Sequence, residues 1–297
     1  MNPGKGNGAR ESDASPSGRG KGEGKLEDAL SIFTATNVSF SYDGRSKAVE
    51  DTSLNVESGE RVAILGANGS GKSTLLKLLD GLYFPTHGEI QAFGAPLTEV
   101  AFQDEAFHYS FRRRVGLLFQ DSDVQLFSPS VWDEVAFAPL QIGLSRQEVI
   151  ERVEYSLKTL RIKGLSERAP HRLSGGEKKR VALASLLSLD PQVWLMDEPT
   201  AGLDPRSAAW LDDFIYDQGE RGRTIVIATH DLMLVESIAD RVYLFDEQHK
   251  IVAEGPTDLV LADHALLVKC NLVPGHIHTR ETRQRAKTHL EDANQTP

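Results

Sequence analysis

The chain has 297 residues, 40% hydrophobic and 26% charged, which is enough apolar material to bury the core of a large globular domain. Its net charge of -10 argues against a general nucleic-acid binder, because neutralising phosphates requires a basic surface. The single cysteine, Cys270, excludes an internal disulfide and predicts a buried thiol in a reducing compartment. Neither a membrane-spanning apolar run of about 18 residues nor a signal peptide is recognisable, so the sequence predicts a cytosolic protein.

The N-terminal part predicts a flexible tail followed by strands. Residues 1–28 are rich in glycine, serine and mixed charge, and we expect them to form a disordered tail. Order is expected from about Ile32, since Val38, Phe40 and Tyr42 alternate with polar residues in the period of a strand. Residues 61–65 (RVAIL) predict a buried strand, and residues 72–81 predict a helix that ends at Gly81.

Residues 104–170 are more charged and predict a helical insertion, in which Val149, Val153 and Leu157 recur every four residues. Strands and helices alternate again after residue 173, with buried strands over 193–197 and 224–229. Residues 256–297 are expected to form a C-terminal appendage with a flexible tail, and its His276 and His278 could bind a metal ion or be incidental. This alternation predicts an α/β fold with a mostly parallel sheet covered on both faces.

A phosphate-binding loop is predicted over residues 66–74, GANGSGKST, which match GxxxxGK[ST] between a predicted strand and a predicted helix. Glycines let the backbone N–H groups wind around an anion, and the helix N-terminus adds partial positive charge. Lys72 is expected to reach the β- and γ-phosphates and Ser73 to bind Mg²⁺. We therefore predict an ATP-binding loop made of Gly66, Ala67, Asn68, Gly69, Ser70, Gly71, Lys72, Ser73 and Thr74.

Polar residues at other strand ends complete a candidate active site. Asp197 follows the run VWLM and is placed to hold Mg²⁺, while Glu198 is placed to orient or deprotonate an attacking water. His230 follows TIVIAT and could contact the γ-phosphate or the water; taken alone, a structural histidine is the alternative. Gln120 ends another short apolar run and could sense Mg²⁺ or the water; an ordinary surface glutamine is the alternative.

Residues 173–177 read LSGGE, in which Ser174 and Glu177 have the spacing of a helix capping box. The order of the phosphate loop, Gln120, LSGGE, Asp197-Glu198, AGLD and His230 resembles ATP-binding-cassette (ABC) ATPases over about residues 32–255. The resemblance implies a P-loop NTPase domain over 29–255. That domain would have a mostly parallel sheet, antiparallel strands on its N-terminal side and an inserted helical subdomain at about 104–170.

The resemblance also implies a dimer of two ATPase subunits, identical or paralogous, around two ATP molecules. The phosphate loop of one subunit would meet the signature residues of the other, which are Leu173, Ser174, Gly175, Gly176 and Glu177. Asp204 in AGLD would lie at the dimer interface, and Tyr42 would stack on adenine. Lys72, Gln120, Glu198 and His230 would be catalytic, and Ser73, Gln120 and Asp197 would hold Mg²⁺.

Residues 116–144, together with HRLSGGEKKRVALAS, resemble the energy-coupling-factor group and especially its cobalt and nickel importers. The run that reads like DPDDQLF in that group is DSDVQLF here. The resemblance implies a transmembrane coupling protein and a membrane substrate-binding subunit as partners, no nucleic acid, and a peripheral position at the cytoplasmic face of the membrane. The alternatives are a vitamin importer, a non-transport ABC ATPase of nucleic-acid processing, and a nucleotide-binding regulator without turnover.

Residues 120–139 predict a partner-docking surface. They carry four acidic residues and no lysine or arginine, and Phe127, Trp132 and Phe137 are interleaved with the acids. Such a surface suits a basic or amphipathic helix, whereas the alternative is that the aromatic rings pack into the core of the helical subdomain. The four acids are Asp121, Asp123, Asp133 and Glu134.

Overall fold

The computed structural model describes Met1 and residues 31–274. The remainder of the predicted N-terminal tail, and the C-terminal pair His276 and His278, lie outside the described residues. Within the described part the chain forms two sheets and a set of α-helices that pack against them.

An antiparallel sheet is formed by the N-terminal part of the chain, in the order β2-β1-β4-β5. In β1, Ala35 lies opposite Leu54 of β2 on one side and Ile90 of β4 on the other. The expected antiparallel strands on the N-terminal side are therefore confirmed. The four strands are β1 (Ser31–Ser41), β2 (Lys47–Glu57), β4 (His87–Ala92) and β5 (Ala95–Pro96).

A six-stranded sheet in the order β10-β9-β3-β8-β7-β6 forms the centre of the fold. All neighbouring strands in it are parallel except β10, which runs antiparallel to β9. The carboxyl ends of β3, β6, β7 and β8 therefore share one edge, where ligands bind in parallel sheets. The strands are β3 (Arg61–Leu65), β6 (Val115–Leu118), β7 (Val193–Asp197), β8 (Thr224–Thr229), β9 (Arg241–Phe245) and β10 (Ile251–Pro256).

Ten α-helices are present in the described residues. Several begin at side-chain caps, and Ser145 and Ser174 each form a complete capping box, with Glu148 and Glu177 respectively. The helices are α1 (Lys72–Leu79), α2 (Glu99–Gln103), α3 (Glu105–Arg114), α4 (Val131–Gln141), α5 (Arg146–Thr159), α6 (Gly175–Leu189), α7 (Pro205–Glu220), α8 (Leu232–Ile238), α9 (Thr257–Ala262) and α10 (His264–Lys269).

The range 104–170, expected to be a helical insertion, is not helical throughout. Val115–Leu118 form β6, which pairs with β7 as a strand of the central sheet, with Val115 opposite Val193. Four buried residues between charged helices are too few to show a period, so this strand is weakly marked in the sequence. Beyond β6, α4 and α5 pack against each other and against α6 to form a helical unit.

The central sheet separates two apolar cores, and its strand residues alternate between them. In β7, Val193 and Leu195 face the antiparallel sheet and α1, whereas Trp194 and Met196 face the helical unit and α7. A smaller cluster joins α9 and α10 to β9 and contains Cys270, which is fully buried as expected.

Candidate active site

The loop between β3 and α1 has the geometry of an anion cradle. Gly69 and Gly71 adopt φ of +83° and +107°, and a Cβ added at Gly71 would lie 2.1 Å from the carbonyl oxygen of Ala48. Helix α1 begins at Lys72 without a side-chain cap. Its first backbone N–H groups therefore lack an intrahelical partner and are available to a phosphate.

Lys72 lies buried at the start of α1, between the loop and an acidic side chain. Its Nζ donates to the carbonyl oxygen of Ala67 at 2.9 Å and lies 3.6 Å from Oε1 of Glu198. Burial lowers the pKa of Lys72, and the nearby Glu198 carboxylate opposes that shift. A phosphate entering the loop would therefore give this ammonium a further anionic partner.

Glu198 follows β7 and is held by the end of β8. Thr229 donates a hydrogen bond to Oε2 of Glu198 at 3.0 Å, and Nδ1 of His230 lies 2.9 Å from Oε1. The Glu198 backbone has φ of +42°, a strained conformation that its N–H bond to the carbonyl of Ala228 helps to hold. These contacts fix the orientation of the carboxylate. A fixed orientation is what a general base needs in order to accept a proton from a positioned water.

Side-chain oxygen atoms that could ligate a magnesium ion lie close together beside α1. The Ser73 hydroxyl donates to Oδ1 of Asp197 at 2.7 Å, and Gln120 lines the same cavity as Ser73. Burial raises the pKa of Asp197, and the bond from Ser73 partly counteracts this. Mg²⁺ prefers hydroxyl, carboxylate and amide oxygens and would compensate the buried charge, so these residues fit the ion. In residues 31–274 no cluster of three His, Cys, Asp or Glu side chains offers another metal site.

A cavity of about 680 Å³ joins the loop to an aromatic side chain. Tyr42 is 55% exposed, its hydroxyl bonds Thr74 Oγ1 at 3.1 Å, and its ring packs edge-on against Phe40 and Tyr83. The ring therefore lies beside the cradle with surface available for stacking. Of the predicted residues, the cavity brings together Tyr42, Asn68, Gly69, Gly71, Lys72, Ser73, Thr74, Gln120 and Glu198.

The signature residues do not line this cavity. Leu173 is buried, while Ser174 and Gly175 are exposed at the N-terminus of α6, where the predicted capping box between Ser174 and Glu177 is present. A Cβ added at Gly175 would meet no atom within 4 Å, so the backbone at this helix start is open to another molecule. Asp204 is also exposed, and it caps α7 by accepting from the backbone N–H groups of residues 206 and 207.

Two residues of the site were not identified from the sequence. Lys179 is buried in α6, and its Nζ donates to the carbonyl oxygens of Phe119 at 3.3 Å and Gln120 at 2.8 Å. Thr229 appears in the sequence only as the last residue of a buried strand. Lys179 stands in a run of charges that reads as a solvated face, so neither residue carried a signal that sequence analysis could use.

A family model described as ABC transporter matches residues 49–201, just over half of the chain, and this range includes the loop, LSGGE and Glu198. The nickel import ATP-binding protein NikO of Rhodobacter capsulatus is 51% identical over 246 residues, which are 82% of this chain and 96% of that protein. The chain belongs to the ABC transporter ATP-binding proteins.

Two solved structures resemble this ABC ATPase. One is cbiO1 from Clostridium perfringens, part of the ABC transporter complex cbiONQ, with 34% identity and a TM-score of 0.69 over 82% of this chain and 96% of that chain. The other is a dimeric ATP-binding cassette in a post-hydrolysis state with ADP and Pi, with 25% identity and a TM-score of 0.68 over 76% of this chain and 99% of that chain. The family match, the relative and these two structures confirm the expected fold and the expected ATPase activity. No helix within the described residues of this ABC ATPase is long and apolar enough to cross a membrane.

Proposed function

We propose that this ABC ATPase is the motor subunit of an energy-coupling-factor importer for cobalt or nickel ions. Three observations support the proposal. One relative is named for nickel import, one similar structure is part of cbiONQ, and residues 116–144 resemble the corresponding segment of energy-coupling-factor ATPases. The subunit would lie peripherally at the cytoplasmic face of the membrane, held there by a coupling protein and a substrate-binding subunit. A vitamin importer is the nearest alternative.

The observation that carries the mechanism is the contact of Lys72 and His230 with one carboxylate, that of Glu198. ATP would bind with its adenine on Tyr42 and its phosphates in the loop, where Lys72 neutralises charge on the transferred group. Glu198 would take a proton from the water that attacks the γ-phosphate, and His230 would hold the carboxylate in line. Magnesium, when held by Ser73, Gln120 and Asp197, would neutralise charge on the phosphates.

The exposed signature residues support a second subunit as part of the site. Gly175 and Gly176 lie at the N-terminus of a 15-residue helix, outside the cavity of their own chain. Pointed at the γ-phosphate of an opposing subunit, their N–H groups would bind ATP better than ADP. Hydrolysis would weaken that contact and let the dimer open, which is a means of passing work to a membrane partner.

A groove of about 720 Å³ between α3, β6 and α4 supports the docking part of the proposal. Its walls include Tyr109 and Phe137, which are 53% and 42% exposed, and the exposed carboxylate of Glu105. Asp80 also lines the groove but is buried and paired with Arg112 at 2.8 Å. An amphipathic helix whose apolar face covers the two rings and whose basic residue pairs with Glu105 would complement this groove. We infer that the coupling protein inserts such a helix here.

Not all of residues 120–139 face outward as a docking surface. Glu134 is buried and accepts from the backbone N–H groups of Phe127 and Ser128 at 2.9 and 2.7 Å, and Trp132 packs against the core of the helical unit. Asp123 pairs with Lys178. The exposed residues of this run include Asp121, Asp133 and Val124 as well as the edge-to-face pair of Phe127 and Phe137. The proposed contact centres on that aromatic pair and the groove beside it.

The test is recovery of the complex from native membranes in mild detergent, with mass spectrometry of the partners. Wild type is compared with Phe137→Asp in the groove and with Val100→Asp, a matched control at an exposed apolar position on α2. We expect wild type and the Val100 variant to recover a coupling protein with a cobalt- or nickel-type subunit, and the Phe137 variant to lose both.

Other outcomes would redirect the proposal. Recovery of several vitamin-binding subunits would keep the motor and overturn the metal assignment. Reproducible recovery of soluble nucleic-acid-associated proteins alone would overturn the transport function. If all three proteins recovered the same membrane partners equally, the groove would not be the docking site.

A further inference from the structure

A second pocket lies beside the helical unit, and it shares no lining residue with the docking groove. It has a volume of about 330 Å³ and is enclosed by α5, the C-terminal ends of α6 and α7, and the turn before β8. None of its lining residues lines the ATP cavity. Its polar lining residues are Arg152, Tyr155, Asp190, Gln218, Arg221 and Arg223.

The lining of the pocket is basic, because three arginines face a single aspartate. Arg223 forms an ion pair with Asp190, and Arg152 donates to the carbonyl oxygens of Ser188 and Leu189 at 3.1 and 3.0 Å. These contacts fix two walls of the pocket. They also neutralise the one lining carboxylate and part of the negative C-terminal end of α6.

Arg221 has no carboxylate within ion-pairing distance among residues 31–274. Its Nη1 donates to the hydroxyl oxygen of Tyr155 at 2.9 Å. A guanidinium has five N–H donors in a planar fork, so most of the donors of Arg221 remain to be used. The pocket thus contains a positioned cation with free hydrogen-bonding capacity.

Gln218 provides an independent observation. It is only 3% exposed and lines the pocket from α7, yet its side-chain amide makes no hydrogen bond to any described residue. The amide atoms are not sealed from solvent, so they face the pocket, where water or a ligand can satisfy them. The amide is therefore placed to donate to a polar molecule that the arginines would attract.

We propose that this pocket is a second ligand site, which binds the phosphate group of a small molecule. Arginine forks match phosphate oxygens in geometry and charge, and the volume is at the small end of the range for ligand pockets. The ligand would touch Arg152 and Tyr155 of α5 and Arg221 of the turn before β8. It would therefore link the helical unit to the central sheet, and this site is independent of the transport proposal.

Inorganic phosphate is the probe, applied to the full chain with its nucleotide site filled by magnesium and a non-hydrolysable ATP analogue, so that the γ-phosphate position is occupied. The midpoint of thermal unfolding is followed as phosphate replaces chloride at constant ionic strength. Wild type is compared with Arg221→Gln and Gln218→Leu, and with Arg146→Gln as control. Arg146 is an exposed arginine on the same helix α5 that does not line the pocket.

We expect a saturable rise of the midpoint in wild type and the Arg146 control. Half-saturation should need about tenfold more phosphate, or more, in the Arg221 variant, since a charge-assisted bond is lost. Phosphate should also slow amide hydrogen exchange at residues 218–223. Absence of saturable stabilisation in wild type, or an unchanged response in both pocket variants, would overturn the site, because phosphate would then act elsewhere.

Discussion

Glu198→Gln tests the chemistry of the active site most directly. Glutamine has the size of glutamate and can still accept from His230 and contact Thr229, so the local hydrogen bonds can persist. It cannot accept a proton from water. Loss of a general base lowers turnover by about 10²- to 10⁴-fold. That range corresponds to about 3–5 kcal/mol of transition-state stabilisation.

The effect of this change on stability should be small, because several terms oppose one another. At 3.6 Å, the attraction between Lys72 and Glu198 is about 5 kcal/mol at an effective dielectric constant of 20. The substitution also removes the burial cost of the carboxylate and its repulsion of Asp197. We expect the free energy of unfolding to change by less than about 2 kcal/mol.

The assay is phosphate release at saturating MgATP, with ATP affinity measured separately by equilibrium dialysis. Glu236→Gln, an exposed carboxylate on α8, is the control and should keep wild-type turnover. A fall in kcat of less than about tenfold for the Glu198 variant, with ATP binding intact, would refute its role as the base.

Three further predictions follow from buried contacts. Lys179→Met should lower kcat by about 10- to 100-fold, because the backbone of Gln120 loses its anchor, and an unchanged kcat in the phosphate-release assay would contradict this. Burial raises the pKa of Asp80 from 3.8 to about 6, so the folded state binds this proton more tightly than the unfolded state. Stability should therefore fall by about 3 kcal/mol as pH rises from about 4 to 6. The free energy of unfolding, measured with urea at a series of pH values, should show this fall between about pH 4 and 6 in wild type and not in Asp80→Asn. Gly71→Ala should abolish ATP binding or folding, since its Cβ would meet backbone at 2.1 Å. Gly69→Ala, with the same sign of φ and open space, should cost only about 1–2 kcal/mol in the same denaturation assay.

Residues close together in sequence were predictable where local geometry decides their structure. The loop over residues 66–74 needs glycines where φ is positive, and the helix that follows it needs an apolar face. Both requirements are met by residues that are adjacent in the sequence, so both elements could be predicted. The capping box of Ser174 and Glu177 is equally local and is present as expected. The buried strands β7 and β8 were marked by continuous apolar runs, which is typical of parallel strands covered on both faces.

The sequence by itself therefore determined the phosphate loop, the main strands and helices, and the residue types of the ATPase site. Only the tertiary structure decided which distant residues meet. Strand β6 belongs to the central sheet because it pairs with β7, and Lys179 anchors Gln120 because α6 packs beside that strand end. The arginine pocket likewise combines α5 with the ends of α6 and α7. Such contacts cannot be predicted from the residues adjacent to a side chain in the sequence, because packing between distant elements, and not local backbone preference, brings the contacting residues together.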